Sequence, residues 1–110
     1  MRWFQQIRTW VRGLFRRRWR LVRIEGDDMP KALPGRTLVI LEEDGTPWSA
    51  GMMCPCGCGR VLEVMLLEGV KPRWDVEIDH KGRPGLKPSV WVADGCRSHF
   101  WLRNGWVHWC

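Results

Sequence analysis

The stretch Cys54-Pro55-Cys56-Gly57-Cys58-Gly59 places three thiols within five residues. A fourth thiol, Cys96, follows Gly95 far along the chain. Structural zinc sites usually take four cysteine thiolates, or three thiolates and a histidine. A turn with several cysteines and a distant turn with the remaining ligand are typical of a small domain held together by a metal. The sequence therefore predicts a Zn²⁺ site formed by Cys54, Cys56, Cys58 and Cys96.

Disulfides and buried free thiols are the alternatives to this metal site. The Cys-x-Cys spacing differs from the Cys-x-x-Cys of common zinc knuckles, but neighbouring Cys-x-Cys residues are also awkward to bridge, and the total of five cysteines is odd. No secretory signal is visible, which favours a reducing compartment such as the cytoplasm over disulfide formation.

The composition indicates one domain of 110 residues with a basic N-terminal arm. Residues 1–23 hold eight arginines and no acidic residue, whereas residues 24–110 hold ten basic and twelve acidic residues. The net charge of +6 therefore belongs to the arm. The body lacks a basic stripe, so nucleic acid is not expected as a partner.

Residues 2–20 follow a helical pattern, in which arginines lie mostly opposite the apolar side chains. The apolar positions are Trp3, Phe4, Ile7, Trp10, Val11, Leu14 and Phe15. Such a basic amphipathic helix is suited to peripheral contact with an anionic membrane or an acidic partner, or to packing on its own domain or on a second copy. We therefore divide the chain into a helical arm, residues 1–23, and a zinc-containing β domain, residues 24–110.

The rest of the chain reads as short strands. A connector with Asp27-Asp28, Pro30 and Pro34 precedes a buried strand at residues 37–41. Residues 60–67 are strand-like with no clear inward face. The predicted fold is mostly β, a small antiparallel sheet domain stapled by zinc, with an N-terminal amphipathic helix.

The later strands are more regular. Residues 74–78 alternate, which predicts that Trp74, Val76 and Ile78 face inward. Residues 89–93, 96–102 and 106–109 form a predicted meander, joined by hairpin turns at Asp94-Gly95 and Asn104-Gly105.

Ser89, Ser98 and His99 fall in this meander, close to Cys96, and are the candidate catalytic residues. On a regular strand Ser98 and His99 point to opposite faces. Ser89 and His99 share a face only if the connection contains an odd number of residues. The alternatives are a zinc-ligating or core histidine and ordinary strand hydroxyls. The carboxylates considered as partners for the imidazole are Asp75, Glu77, Asp79 and Asp94.

Several motifs together resemble one bacterial domain-of-unknown-function family over residues 25–110. They are Cys54-Pro55-Cys56-Gly57-Cys58-Gly59, Pro88-Ser89-Val90-Trp91, Gly95-Cys96-Arg97-Ser98-His99-Phe100-Trp101 and the closing Trp109-Cys110. Genes of this family lie beside genes for ubiquitin-like proteins and their E1-like and E2-like enzymes. The arginine-rich N-terminal segment lies outside the family pattern, and Cys110 is not an obvious ligand.

The resemblance implies a compact zinc-containing peptidase of the serine type, which trims a bacterial ubiquitin-like precursor or removes the ubiquitin-like protein from its targets. Ser89, Ser98 and His99 would supply nucleophile and base, and backbone N–H groups near residues 95–97 the oxyanion site. An exposed row of Trp91, Trp101 and Trp106 would hold the substrate tail. The alternative is a zinc-stabilised binding module that recruits a ubiquitin-like protein or a conjugation enzyme without cutting it.

Overall fold

Two four-stranded sheets make up the part of the chain that the computed structural model describes, residues 18–110. The first sheet has the order β1-β2-β3-β4 and the second β5-β6-β7-β8. The strands are β1 (Arg20–Glu25), β2 (Thr37–Glu43), β3 (Thr46–Met53), β4 (Val61–Met65), β5 (Asp75–Ile78), β6 (Pro84–Trp91), β7 (His99–Arg103) and β8 (Trp106–Trp109). The mostly β prediction is confirmed, but the single antiparallel sheet is corrected to two sheets, of which the first contains a parallel pair.

The first sheet combines a parallel pair, β1 with β2, and antiparallel pairs from β2 to β4. The connector predicted around Asp27-Asp28, Pro30 and Pro34 spans residues 26–36 and carries the chain from β1 back to the start of β2. The side chain of Met29 fills the space beside Gly51, where a Cβ atom would lie 2.5 Å from its sulfur. The connector thus covers one face of this sheet, which explains why residues 37–41 are buried without alternation.

The core lies between the two sheets. Leu38 and Ile40 of β2 belong to the same buried cluster as Phe100 and Leu102 of β7. On β4 the inward residues are Leu62 and Val64, which settles the face that the sequence left unassigned.

Three strand predictions need correction. Trp74 and Val76 pack against the core, but Ile78 is 45% exposed because it lies at the end of the edge strand β5. The predicted return strand at residues 96–102 is shorter, since β7 begins at His99. The strand predicted at residues 89–93 begins earlier, at Pro84, and ends earlier, at Trp91.

Most of the predicted N-terminal helix lies outside the described residues. At the end of this segment, Trp19 is buried in the core and Arg20 begins β1, so the predicted helix does not extend through residue 20. The division into an arm and a body stays a prediction, although β1 crosses its boundary. Within residues 18–110 there is no helix with the length and apolar character needed to cross a membrane.

Candidate active site and metal centre

The cysteine motif forms the tight connection between β3 and β4. The N–H of Cys54 donates to the carbonyl of Arg60 at 2.8 Å, and the N–H of Gly57 donates to the carbonyl of Cys54 at 3.1 Å. Gly57 and Gly59 have φ angles of 89° and 84°, a region that residues with a Cβ rarely adopt. The glycines between and after the cysteines therefore allow the backbone to curl around the thiols.

The fourth cysteine comes from the other sheet. Cys96 lies in the loop between β6 and β7. The Nη1 atom of Arg60 pairs with Oδ1 of Asp94 at 2.9 Å, which ties this loop to the cysteine turn. The metal ligands expected from the sequence are thus brought together across the two sheets.

The four sulfurs fit a tetrahedral cation. The Sγ atoms of Cys54, Cys56, Cys58 and Cys96 all lie within 4.8 Å of one another. Cys54 Sγ is 3.3 Å from Cys56 Sγ and 3.7 Å from Cys96 Sγ. Zn–S bonds of about 2.3 Å in a tetrahedron imply S–S distances of about 3.8 Å. These four thiols form a possible metal site, to which Cys110 does not belong.

Ser98 contacts this cluster. Its side chain is buried, with Oγ 3.3 Å from Cys96 Sγ and 3.6 Å from Cys54 Sγ. Burial raises the pKa of the Cys54 thiol to about 12. Hydrogen bonds from Ser98 and then Cys54 lower the pKa of Cys56 to about 6. The cluster therefore favours a thiolate at Cys56 even before a cation neutralises the sulfurs.

Ser89 and His99 form a second pair of polar side chains. The Oγ atom of Ser89 lies 2.9 Å from Nε2 of His99. Both residues are half-buried. When the Nδ1 atom carries the imidazole proton, Nε2 accepts a hydrogen bond from the serine hydroxyl, the arrangement by which a histidine activates a serine nucleophile.

The strand register explains this contact. Trp91 lies opposite His99, and the N–H of Val92 donates to the carbonyl of Ser98, so five residues, 93–97, close the loop. This odd number places Trp91 and His99 on one face. The register between β6 and β7 shifts between Leu86 and Val90, and the 2.9 Å contact shows that Ser89 lies on the face of His99. Ser98 points to the other face, toward the cysteines. The structure thus brings Ser89 to His99 and separates Ser98 from both.

The imidazole of His99 is held by a ring rather than by a carboxylate. The indole of Trp91 stacks on it with ring centroids 5.7 Å apart and planes inclined by 28°. Among residues 18–110, the ring of His99 is hydrogen-bonded only to Ser89. Asp75, Asp79 and Asp94 instead pair with arginines. The stacking on Trp91 was not predicted. It could have been found from the sequence only through a correct register, which places Trp91 opposite His99.

Of the three tryptophans predicted to form an exposed row, only Trp91 is exposed. Trp91 is 69% exposed, whereas Trp101 and Trp106 are half-buried. The guanidinium of Arg103 lies 4.2 Å from the ring centroid of Trp101, and that of Arg18 lies 5.0 Å from the ring centroid of Trp106. Arginine side chains thus cover the last two rings.

Residues 25–110 match the family described as bacterial ubiquitination-like system serine protease (BubE). The chain belongs to this family, as the resemblance in its motifs predicted. Comparison with curated proteins and with solved structures finds no match. By family, the protein is therefore a serine protease of a bacterial ubiquitination-like system.

Proposed function

We propose that this protein is a peptidase that cuts a bacterial ubiquitin-like protein, either from a C-terminal extension or from a target. Ser89 is the nucleophile and His99 the general base. The 2.9 Å distance between Ser89 Oγ and His99 Nε2 carries the proposal, since a serine needs a base within hydrogen-bond distance.

In this mechanism Ser89 Oγ attacks the scissile carbonyl while His99 Nε2 takes the hydroxyl proton. His99 then gives that proton to the leaving amine, so that an acyl-serine ester forms as the peptide bond breaks. Water attacks this ester with His99 again as base, which restores the serine and releases the new carboxylate. Backbone N–H groups near residues 95–97 were expected to stabilise the oxyanion. The N–H of Arg97 is already used in another hydrogen bond, because it donates to the carbonyl of Asp94 at 3.3 Å.

We assign the cysteine cluster a structural role as a Zn²⁺ site. Four thiolates would complete a tetrahedral coordination, and no position would then be left for a water nucleophile. The bound cation would supply a cross-link between the cysteine turn and the loop that precedes His99. Ser98 supports the sulfurs through its hydroxyl and is not the nucleophile in this proposal.

The test uses a serine-directed fluorophosphonate and a bacterial ubiquitin-like protein with its C-terminal extension. We expect the wild-type protein to be labelled and to cut the precursor. Ser89→Ala should abolish labelling and lower cleavage by about 10⁴-fold or more. His99→Ala should have a similar effect on cleavage.

Ser98→Ala is the matched control, because Ser98 lies next to His99 but faces the cysteines. This variant should still be labelled, provided that its metal content equals that of the wild type. Labelling of Ser89→Ala together with loss of labelling in Ser98→Ala would reverse the two assignments. An uncut precursor that nevertheless binds would favour the recruitment module instead.

A further inference from the structure

Strand β6 has an open edge beside the proposed nucleophile. β5 pairs with β6 only from Pro84 to Lys87. β6 continues to Trp91, with β7 on one side of its last part. On the other side, no strand among residues 18–110 pairs with β6 beyond Lys87.

The backbone of Trp91 points to this open edge. In an antiparallel pair, residues that exchange hydrogen bonds alternate with residues that do not. The N–H of Val92 donates to the carbonyl of Ser98 at 2.8 Å, so Val92 belongs to the bonded set and Trp91 does not. Independently, the carbonyl of His99, opposite Trp91, accepts from Cys110 on the β8 side. The N–H and C=O of Trp91 therefore both face away from β7.

An indole closes the same edge at Ser89. Nε1 of Trp74 donates to the carbonyl of Ser89 at 3.2 Å. The open part of the edge therefore begins after Ser89 and is centred on Trp91. A strand added there would meet the ring of Trp74 next to Ser89.

We propose that the substrate polypeptide docks on this edge as an added strand, with one of its residues making both backbone hydrogen bonds to Trp91. This inference rests on the proposed function and adds the mode of substrate recognition. Trp91 is two residues from Ser89, or about 7 Å along the strand. The paired substrate residue therefore lies within about three residues of the scissile bond. Recognition through backbone groups selects an extended, unfolded segment rather than a particular side chain.

Amide hydrogen exchange of the free, full-length protein tests the premise. The N–H of Trp91 should exchange at least 100-fold faster than the N–H of Val92, its neighbour on the same strand. Equal protection of the two amides at low protein concentration would overturn the proposal, whatever the protein cuts. Protection of Trp91 that grows with protein concentration would assign the edge to a second copy of the chain and would also overturn it.

The occupant is tested with Ser89→Ala and the intact ubiquitin-like precursor used above. Binding should slow exchange of the Trp91 N–H by at least tenfold and leave that of Val92 unchanged. A peptide spanning the cleavage point, methylated at one amide nitrogen at a time, should lose at least about tenfold in affinity at the position paired with Trp91 and less at its two neighbours.

These results separate the two claims. Fluorophosphonate labelling and precursor cleavage by the wild type, without protection of Trp91 in the complex, would leave the peptidase standing and refute the docking mode. A uniform effect of methylation along the peptide would refute it as well. Failure of both labelling and cleavage would refute the peptidase itself.

Discussion

At the scale of single residues, the pair Ser89–His99 has an indole where serine proteases commonly have a carboxylate. Stacking on Trp91 restricts the rotation of the imidazole, and the face of an aromatic ring attracts the imidazolium that forms as the serine is deprotonated. We infer that Trp91 is a positioning residue that acts through His99.

Replacing Trp91 therefore tests this role. Trp91→Leu removes the ring and should lower kcat and the rate of fluorophosphonate labelling by about 3- to 10-fold, the equivalent of one aromatic contact. KM should change less, because the proposed substrate contacts of Trp91 are made by its backbone. Trp91→Phe keeps a stacking ring and is the matched control.

Rates for Trp91→Phe within about threefold of wild type would support the role of the stacked ring. If Trp91→Leu and Trp91→Phe lose kcat equally, the stacking does not orient the base. If Trp91→Leu raises KM alone, the side chain acts on substrate binding.

The cluster of four cysteines was predicted from the sequence, but the stacking partner of His99 was not. An odd connection was the predicted condition for Ser89 and His99 to share a face, and the connection is odd. The Asp94-Gly95 pair suggested a two-residue turn, whereas the loop contains five residues and Arg97 adopts a φ of 52°. Arginine is not a residue type that indicates a positive φ, so the sequence did not reveal the length of this loop or the register between β6 and β7.

At the scale of elements, two similar turns differ in their surroundings. Asp44-Gly45 joins β2 to β3, and Asn104-Gly105 joins β7 to β8, as predicted for the second turn. In both turns both residues have positive φ, and the glycines have nearly equal values, 78° and 77°. A Cβ at Gly45 would meet nothing within 4 Å, whereas one at Gly105 would lie 3.1 Å from the carbonyl oxygen of Trp19.

Alanine substitutions at Gly45 and Gly105 distinguish the cost of a left-handed backbone conformation from the cost of steric crowding. Gly45→Ala should lower the free energy of unfolding by about 1 kcal/mol, the effect of a left-handed conformation alone. Gly105→Ala should lower it by about 3 kcal/mol, because the neighbouring backbone must also move. Urea denaturation with equal m-values measures both variants. Equal losses would show that the packing of residues 18–19 on this turn contributes little.

The start of β1 shows why such contacts escape a sequence pattern. The sequence predicts a helix over residues 2–20, yet Trp19 packs into the core and its N–H donates to the carbonyl of Gly105 at 2.7 Å. Strand β1 then pairs with β2. Pairing with a distant strand overrides local periodicity, and nothing in residues 18–25 alone reveals the partner.

At the scale of the whole molecule, the proposed metal site lies where the two sheets meet. Cys54, Cys56 and Cys58 belong to the β3–β4 connection, and Cys96 belongs to the β6–β7 loop that precedes His99. A cation held by all four sulfurs would fix that loop and, through it, the base.

Metal binding should depend on pH through the thiols. Because burial raises the pKa of Cys54 to about 12, this thiol keeps its proton at pH 7 until a cation displaces it. Zn²⁺ binding should therefore release protons at pH 7, and its affinity should fall as the pH falls. Titration calorimetry in buffers of different ionisation enthalpy measures the released protons. An affinity that does not change between pH 6 and pH 8 would contradict thiolate ligation.

Removal of one ligand tests the connection between the metal and the active site. Cys96→Ser should lose tightly bound metal, since three thiolates and a hydroxyl hold zinc less well than four thiolates. A metal present at 100 times its Kd stabilises a protein by about 2.7 kcal/mol. For a domain of this size, that corresponds to a fall in Tm of roughly 10–20 °C. Labelling of Ser89 should fall as well, because the loop that precedes His99 is released.

Cys110→Ser is the matched control, because Cys110 is an exposed cysteine outside the cluster. It should keep the metal content, Tm and labelling rate of the wild type, as measured by elemental analysis under reducing conditions, thermal denaturation and fluorophosphonate reaction. Cys96→Ser protein that loses the metal but remains folded and fully reactive at Ser89 would show that the two sites are independent. A wild-type protein that folds without bound metal would contradict the metal site itself.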